Sequence, residues 1–162
     1  MVSVAKETGQ AATTLVVENL DKMYSRMLPS SLNKAVWLAH PDVVPQLFAL
    51  ARNVGTGGSA VMVTNIANAP ATSIYGRPVI LTEKCKTLGT LGDIYFVDLS
   101  YYLIGDRQGM TMRGSDAPRF TNDEYVFRFV ERVDGQPWLN SAITPREGSN
   151  TLSPMVALAA RA

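Results

Sequence analysis

The chain is poor in the residues on which most enzyme and metal chemistry depends. It has one cysteine, Cys85, and one histidine, His40. A lone cysteine closes no internal disulfide, and its strand-to-turn setting between Lys84 and Lys86 suggests a mildly activated surface thiol at most. Zinc sites draw three or four ligands, so a metal site built on nitrogen or sulfur is excluded. His40 stands immediately before Pro41 at an expected helix start, where a capping or turn role outweighs a place in a Ser-His-Asp or Cys-His arrangement.

No apolar run approaches the ~20 residues of a membrane helix, and the N-terminus lacks a charged region followed by an apolar stretch and cleavage site. The expectation is a soluble chain that is not exported and has no membrane partner. Charge of one sign is also missing: 15 basic and 14 acidic residues, net +1, are spread without a long block of either. That leaves no electrostatic footprint for nucleic acid, so sequence-specific nucleic-acid binding is not expected. Asp93, Asp98, Asp106, Asp123, Glu124 and Glu131 are the conspicuous carboxylates, yet no spacing marks a pair held for acid and base work. Gly55, Gly57 and Gly58 invite comparison with a phosphate-binding loop. The Gly-Lys-Ser/Thr ending is absent, however, and strand-like Val61-Met62-Val63 follows where a helix would be needed. No catalytic, cofactor-binding or metal residue is assigned, and no cofactor is expected.

What is present is a globular composition, 46% hydrophobic and 18% charged over 162 residues. That suits one domain or two small lobes sharing a core. Val16, Leu20, Met23 and Met27 recur at helical steps, predicting an amphipathic helix from about Thr14, its N-cap, to Leu28, with Glu18 paired to Lys22. Val36-Trp37-Leu38 reads as a buried strand, followed by a helix from Asp42 at its N-cap to about Arg52, with Pro45 in the first turn. Asn53 to Ser59 reads as a loop, and Thr64 to Thr72 as irregular chain.

Two apolar runs, Val79 to Leu81 and Ile94 to Ile104, are rich in β-branched and aromatic residues and punctuated by Gly76, Pro78, Gly89, Gly92 and Gly105. They are expected as inner strands of one sheet. Gly109 to Pro118 reads as an exposed loop or edge strand. From Tyr125 to Val133 the alternation sets Tyr125, Phe127, Phe129 and Glu131 on one face and Val126, Arg128, Val130 and Arg132 on the other, although Asn122-Asp123-Glu124 could instead cap a helix. Asp134-Gly135 signals a turn, and Met155 to Leu158 a last short strand. The tryptophans and tyrosines lie in apolar strand runs without interleaved cations, which favours core roles over base stacking.

The order Tyr-Gly-Arg-Pro-Val-Ile from Tyr75, Leu-Gly-Asp-Ile-Tyr-Phe-Val-Asp from Leu91 and Tyr-Tyr-Leu-Ile-Gly-Asp-Arg from Tyr101 resembles the C-terminal half of tailed-phage major capsid proteins of the Hong Kong 97 type. The resemblance runs weakly from the helix near Thr14 to the end and rests on order and spacing, with no single diagnostic motif. It implies an α+β fold, with an axial-domain mixed sheet and flanking helices plus part of a peripheral domain. The implied divisions are a spine helix over 11–30, an axial domain over 31–120 and return strands over 121–162, the last covering the helix. The family's N-terminal arm and extended hairpin are expected to be absent, so the chain would be an incomplete gene product, a designed piece or a proteolytic remnant.

The implied function is a structural one: a major capsid fragment that self-associates, as pentamers and hexamers in the intact protein, into the icosahedral shell enclosing phage DNA. Scaffold, portal or decoration proteins would be further partners. The shell would be assembled in the bacterial cytoplasm and located in the virion. Some members cross-link covalently, but Asn122 to Glu124 offers no match for that chemistry. An encapsulin-like protein compartment is the alternative on the same fold, and a small α/β ligand-binding or enzyme domain using Gly55 to Ser59 is the alternative from another class.

Overall fold

The computed structural model describes residues 1–54, 57–60, 62–63 and 73–161, with side chains left aside over 51–63. It divides into two compact units, Met1–Ser100 with Leu139–Ala162, and Tyr101–Trp138.

The first unit is built on a seven-stranded mixed sheet. Its strands are β1 (Val2–Val4), β2 (Val36–Ala39), β5 (Met62–Val63), β6 (Ser73–Ile74), β7 (Arg77–Leu81), β8 (Ile94–Val97) and β11 (Met155–Leu158), in the order β1-β11-β8-β2-β7-β6-β5. A separate antiparallel pair, β3 (Ala51–Val54) and β4 (Gly57–Ala60), occupies part of the passage read as helix end and loop. The helix before it is shorter than expected. A 3-10 turn, Pro41–Val43, leads into α2 (Val44–Ala49), with Pro45 in the first turn as anticipated. His40, not Asp42, caps the 3-10 turn, its Nδ1 accepting the Asp42 N–H at 3.1 Å.

β2 sits in mid-sheet, parallel to β7 and antiparallel to β8, so both apolar runs enter one sheet with β2 between them. The second run does not remain one strand. After β8, the Asp98 carboxylate accepts the Ser100 N–H at 3.0 Å and hydroxyl at 2.7 Å. That local bonding turns the chain into a 3-10 segment, Leu99–Tyr101. Tyr75 (φ +52°) and Gly76 (φ +72°) form the tight turn from β6 to β7, the two positive φ values matching the strand twist there.

The helix α1 (Val17–Ser25) starts later than expected. Thr14 does not cap it; Asn19 does, its Oδ1 accepting the Val16 N–H at 3.2 Å. Lys22 pairs with Glu7 at 2.7 Å in place of the anticipated Glu18. Leu20, Met23 and Met27 are buried with Val156 and Leu158 of β11 in one core, so the C-terminal strand does share the helix's apolar stripe. The other expected partner, Tyr125 to Val133, lies in the second unit.

Aromatic rings fix the middle of this core. Trp37 is fully buried and stacks on Phe96, its cross-strand partner, at 4.1 Å and 17°. The Trp37 indole N–H donates to the Ile74 carbonyl at 3.2 Å. Tyr24 also stacks on Phe96, at 5.7 Å and 18°. Such pairs add ~0.5–1.5 kcal/mol beyond area burial.

The second unit is a long antiparallel hairpin, β9 (Tyr102–Ser115) and β10 (Val126–Pro137). The expected boundary at residue 120 falls in its connection, and α1 shares the sheet's unit. Asp134-Gly135 is not a turn: both residues pair within β10, with Gly105 and Ile104. Gly135 matters for another reason, since a Cβ there would stand 2.5 Å from the Tyr102 ring. Gly114 likewise admits the Tyr125 ring, 2.4 Å from a hypothetical Cβ. At each end of the ribbon a tyrosine thus lies across a glycine of the opposing strand.

Candidate functional site

The residues with chemical potential are scattered. Asp93 is buried and pairs with Arg161, which is also fully buried; a second Asp93 contact is the Gly89 N–H at 2.9 Å. Arg161 further donates from Nε to the Thr14 carbonyl at 2.5 Å. Its own backbone bonds Gly89 and Thr13, each at 2.8 Å. This fastens residue 161 to two distant segments and occupies the Asp93 carboxylate in a buried ion pair.

Asp98 is buried too. Burial raises its proton affinity, but the Ser100 hydroxyl and N–H, both bonded to Oδ1, and nearby Lys34 outweigh this and hold the carboxyl below its ordinary value. Cys85 is not the surface thiol its lysine neighbours suggested: it is buried, and burial followed by the negative Asp93 pushes its pKa up. Lys84 lies in a turn closed by the Cys85 N–H on the Thr82 carbonyl at 3.3 Å, and both lysines are exposed while the thiol between them is buried. Gly57 to Ser59 lie in β4, while Gly55 lies outside the described residues. Among the described residues, no three His, Cys, Asp or Glu side chains gather as a metal site. A groove of about 350 Å³ beside β1 and α1 is lined by Lys6, Lys22 and Arg26, but Lys22 is held by Glu7 and Arg26 by Thr151.

The hairpin is different, because its apolar side chains lie open and its groove arginines find no ion-pair partner among the described residues. On one face Met110, Met112, Phe127 and Phe129 are 70, 61, 56 and 60% exposed. Tyr102, Tyr125 and Trp138 are exposed as well, which corrects the expectation that aromatics of this passage belong to a core. The opposite face carries Arg113, Arg128 and Arg132, with Arg128 directly opposite Arg113. With Gln108, Thr111 and Val130 they line a groove of about 310 Å³. Asp106, Asp123, Glu124 and Glu131 are exposed in the same unit, where Glu124 pairs with Arg119 at 2.9 Å. The β10 alternation assigned both faces correctly. Of the two readings of Gly109 to Pro118, loop or edge strand, the strand holds as far as Ser115, but neither names β10 as its partner, so the sequence does not disclose the meeting of Arg113 with Arg128. Strand pairing across a ten-residue connection leaves little local trace in composition.

An amphipathic ribbon of this kind, apolar on one side and cationic on the other, suits macromolecular contact better than small-molecule chemistry. Comparisons with known proteins point the same way. A family model described as the phage capsid family matches residues 1–147. Two solved structures match over 99% of this chain with a TM-score of 0.65 and 15% identity. They are the capsid of an empty GTA particle and that of a native GTA particle, both computed with C5 symmetry. The match takes in 50 and 49% of those chains, so this chain spans about half the length of the solved capsid chains it matches. They show the same α+β fold. No curated protein matches.

Proposed function

The chain belongs to the phage capsid family, and from that premise we propose that it serves as a structural part of a major capsid protein, self-associating in the shell that encloses phage DNA. The role is architectural, with no reaction assigned to it. Its place of action is the virion, reached by assembly in the bacterial cytoplasm. Copies of the chain are its principal partners, grouped as pentamers and hexamers in the intact protein. In this reading the sheet-bearing unit takes the axial role and the hairpin belongs to the peripheral part.

The observation that carries the proposal is the uncovered apolar face of the hairpin. A two-stranded ribbon is marginally stable alone in water, and Met110, Met112, Phe127 and Phe129 together leave a contiguous apolar strip on it. Each such side chain contributes ~1.5–3 kcal/mol on full burial, which a neighbouring copy would supply. Sedimentation velocity tests this directly. The chain should form concentration-dependent oligomers, and Phe127→Glu with Phe129→Glu should render it monomeric without lowering the melting temperature of the sheet unit. Oligomers that persist unchanged in that variant would remove the basis of the proposal.

A further inference from the structure

Resting on that self-association reading, we propose that the hairpin carries both halves of an electrostatic contact between copies: the arginine groove of one copy receives the carboxylates Asp116 and Asp123 from the hairpin connection of another. Arg128 stands directly opposite Arg113 in the ladder, and like charges so placed repel. Arg132 lies on the same β10 face. The groove they line, about 310 Å³, contains no carboxylate. Among the described residues the ion pair of this unit is Arg119 with Glu124, which leaves the three groove arginines unmatched within their own chain.

The complementary charge sits a few residues away. Asp116 and Asp123 flank the 3-10 turn Ala117–Asn122 that joins the strands, and both are exposed. Neither has an ion-pair partner among the described residues. Arginine forks grip carboxylates with two parallel hydrogen bonds, and a pair of aspartates fits a groove of this size.

A nucleic-acid backbone is the other polyanion to consider, but residues 101–138 hold five arginines against six carboxylates. A strand following the groove toward the connection would run past Asp116 and Asp123, where its phosphates are repelled. Because groove and connection are different patches of one surface, the contact is head-to-tail. Head-to-tail contacts close into rings when the rotation permits, as shell building requires.

Charge exchange provides the test. One variant carries Arg113→Glu and Arg128→Glu, the other Asp116→Lys and Asp123→Lys. Each alone should associate at least about tenfold more weakly than wild type in sedimentation velocity at low salt. An equimolar mixture should recover association, because each variant then offers the other a matching groove and a matching tip. That recovery also certifies that both variants are folded. Neutral Arg128→Gln should weaken association less than reversal does, and added salt should weaken the wild type. Reversal variants that associate like wild type, or a mixture that stays dissociated, would overturn the contact while leaving the apolar strip as the means of association. DNA retained by wild type and lost on arginine reversal, with oligomers unaffected, would overturn it in favour of nucleic acid. A wild-type chain that remains monomeric at every concentration would overturn both this contact and the self-association reading.

Discussion

Replacing Arg161 with alanine should destabilise the sheet unit more than any single surface change. Its guanidinium and the Asp93 carboxylate are both fully buried, so truncation strands a carboxylate whose remaining contact is the Gly89 N–H. Breaking a buried pair from one side costs ~3–5 kcal/mol, a fifth or more of the ~5–15 kcal/mol that holds a typical domain together. The hydrogen bond to the Thr14 carbonyl goes with it, freeing the passage that leads into α1. Urea unfolding reports the loss through Trp37, whose buried indole shifts to the red on exposure, in a Trp138→Phe background that removes the exposed second indole. The double variant Asp93→Ala with Arg161→Ala completes the cycle. It should lose much less than the sum of the two single changes, because the stranded charge is then gone. A loss below ~1 kcal/mol for Arg161→Ala, or strict additivity in the double variant, would refute the view that this ion pair ties the end of the chain to its core.

Three further outcomes are expected. Trp37→Ala should cost ~3–5 kcal/mol in the same unfolding assay, since the ring is fully buried, stacks on Phe96 and donates to Ile74. Asp98 has a folded pKa below its ordinary 3.8. It therefore contributes stability that is present above the unfolded value and lost as pH falls through the folded one. Unfolding midpoints followed from about pH 5 to pH 2 should show that acid-side loss diminished in Asp98→Asn. Cys85, buried and with a raised pKa, should react with a disulfide reagent at least about tenfold more slowly in the native chain than in the unfolded one, and an equal rate would contradict its burial.

Local signals carried far in this sequence where a residue's role is decided by its neighbours in the chain. The stripe of Leu20, Met23 and Met27, the strand around Trp37 and the two faces of β10 all follow from periodicity. What failed was non-local. Nothing around Cys85 reveals that Asp93 and the sheet close over it. Lys22 had an eligible partner one turn away, yet Glu7 reached it from outside the helix. The end of α2 at Ala49 and the pairing of β3 with β4 depend on a glycine-rich passage that composition alone reads as a loop. Arg113 and Arg128 are 15 positions apart and meet only because β9 continues to Ser115. The resemblance to phage capsid proteins drew on the order of elements, a global property, and so reached the family even where individual boundaries were misplaced.

The two units differ in how far they satisfy themselves, and that difference is what gives the chain a role. In the sheet unit, the buried charges of Asp93 and Arg161 pair with each other, the buried amide of Asn19 exchanges hydrogen bonds with Gln10, and the aromatic rings stack inside. The chain's late strand β11 lies between β1 and β8, so deleting it would open the sheet as well as uncover α1. The hairpin leaves apolar rings on one face and unmatched arginines on the other. Substitutions should therefore separate by readout. Changes at Trp37, Asp93 or Arg161 move the unfolding midpoint, whereas changes at Phe127, Phe129, Arg128 or Asp123 move the association constant, because the two sets belong to different units and sites with no shared partners act independently. A hairpin variant that lowered unfolding stability as much as Trp37→Ala would mean that the exposed ribbon is part of the core, and its availability to a neighbouring copy would be lost with that result.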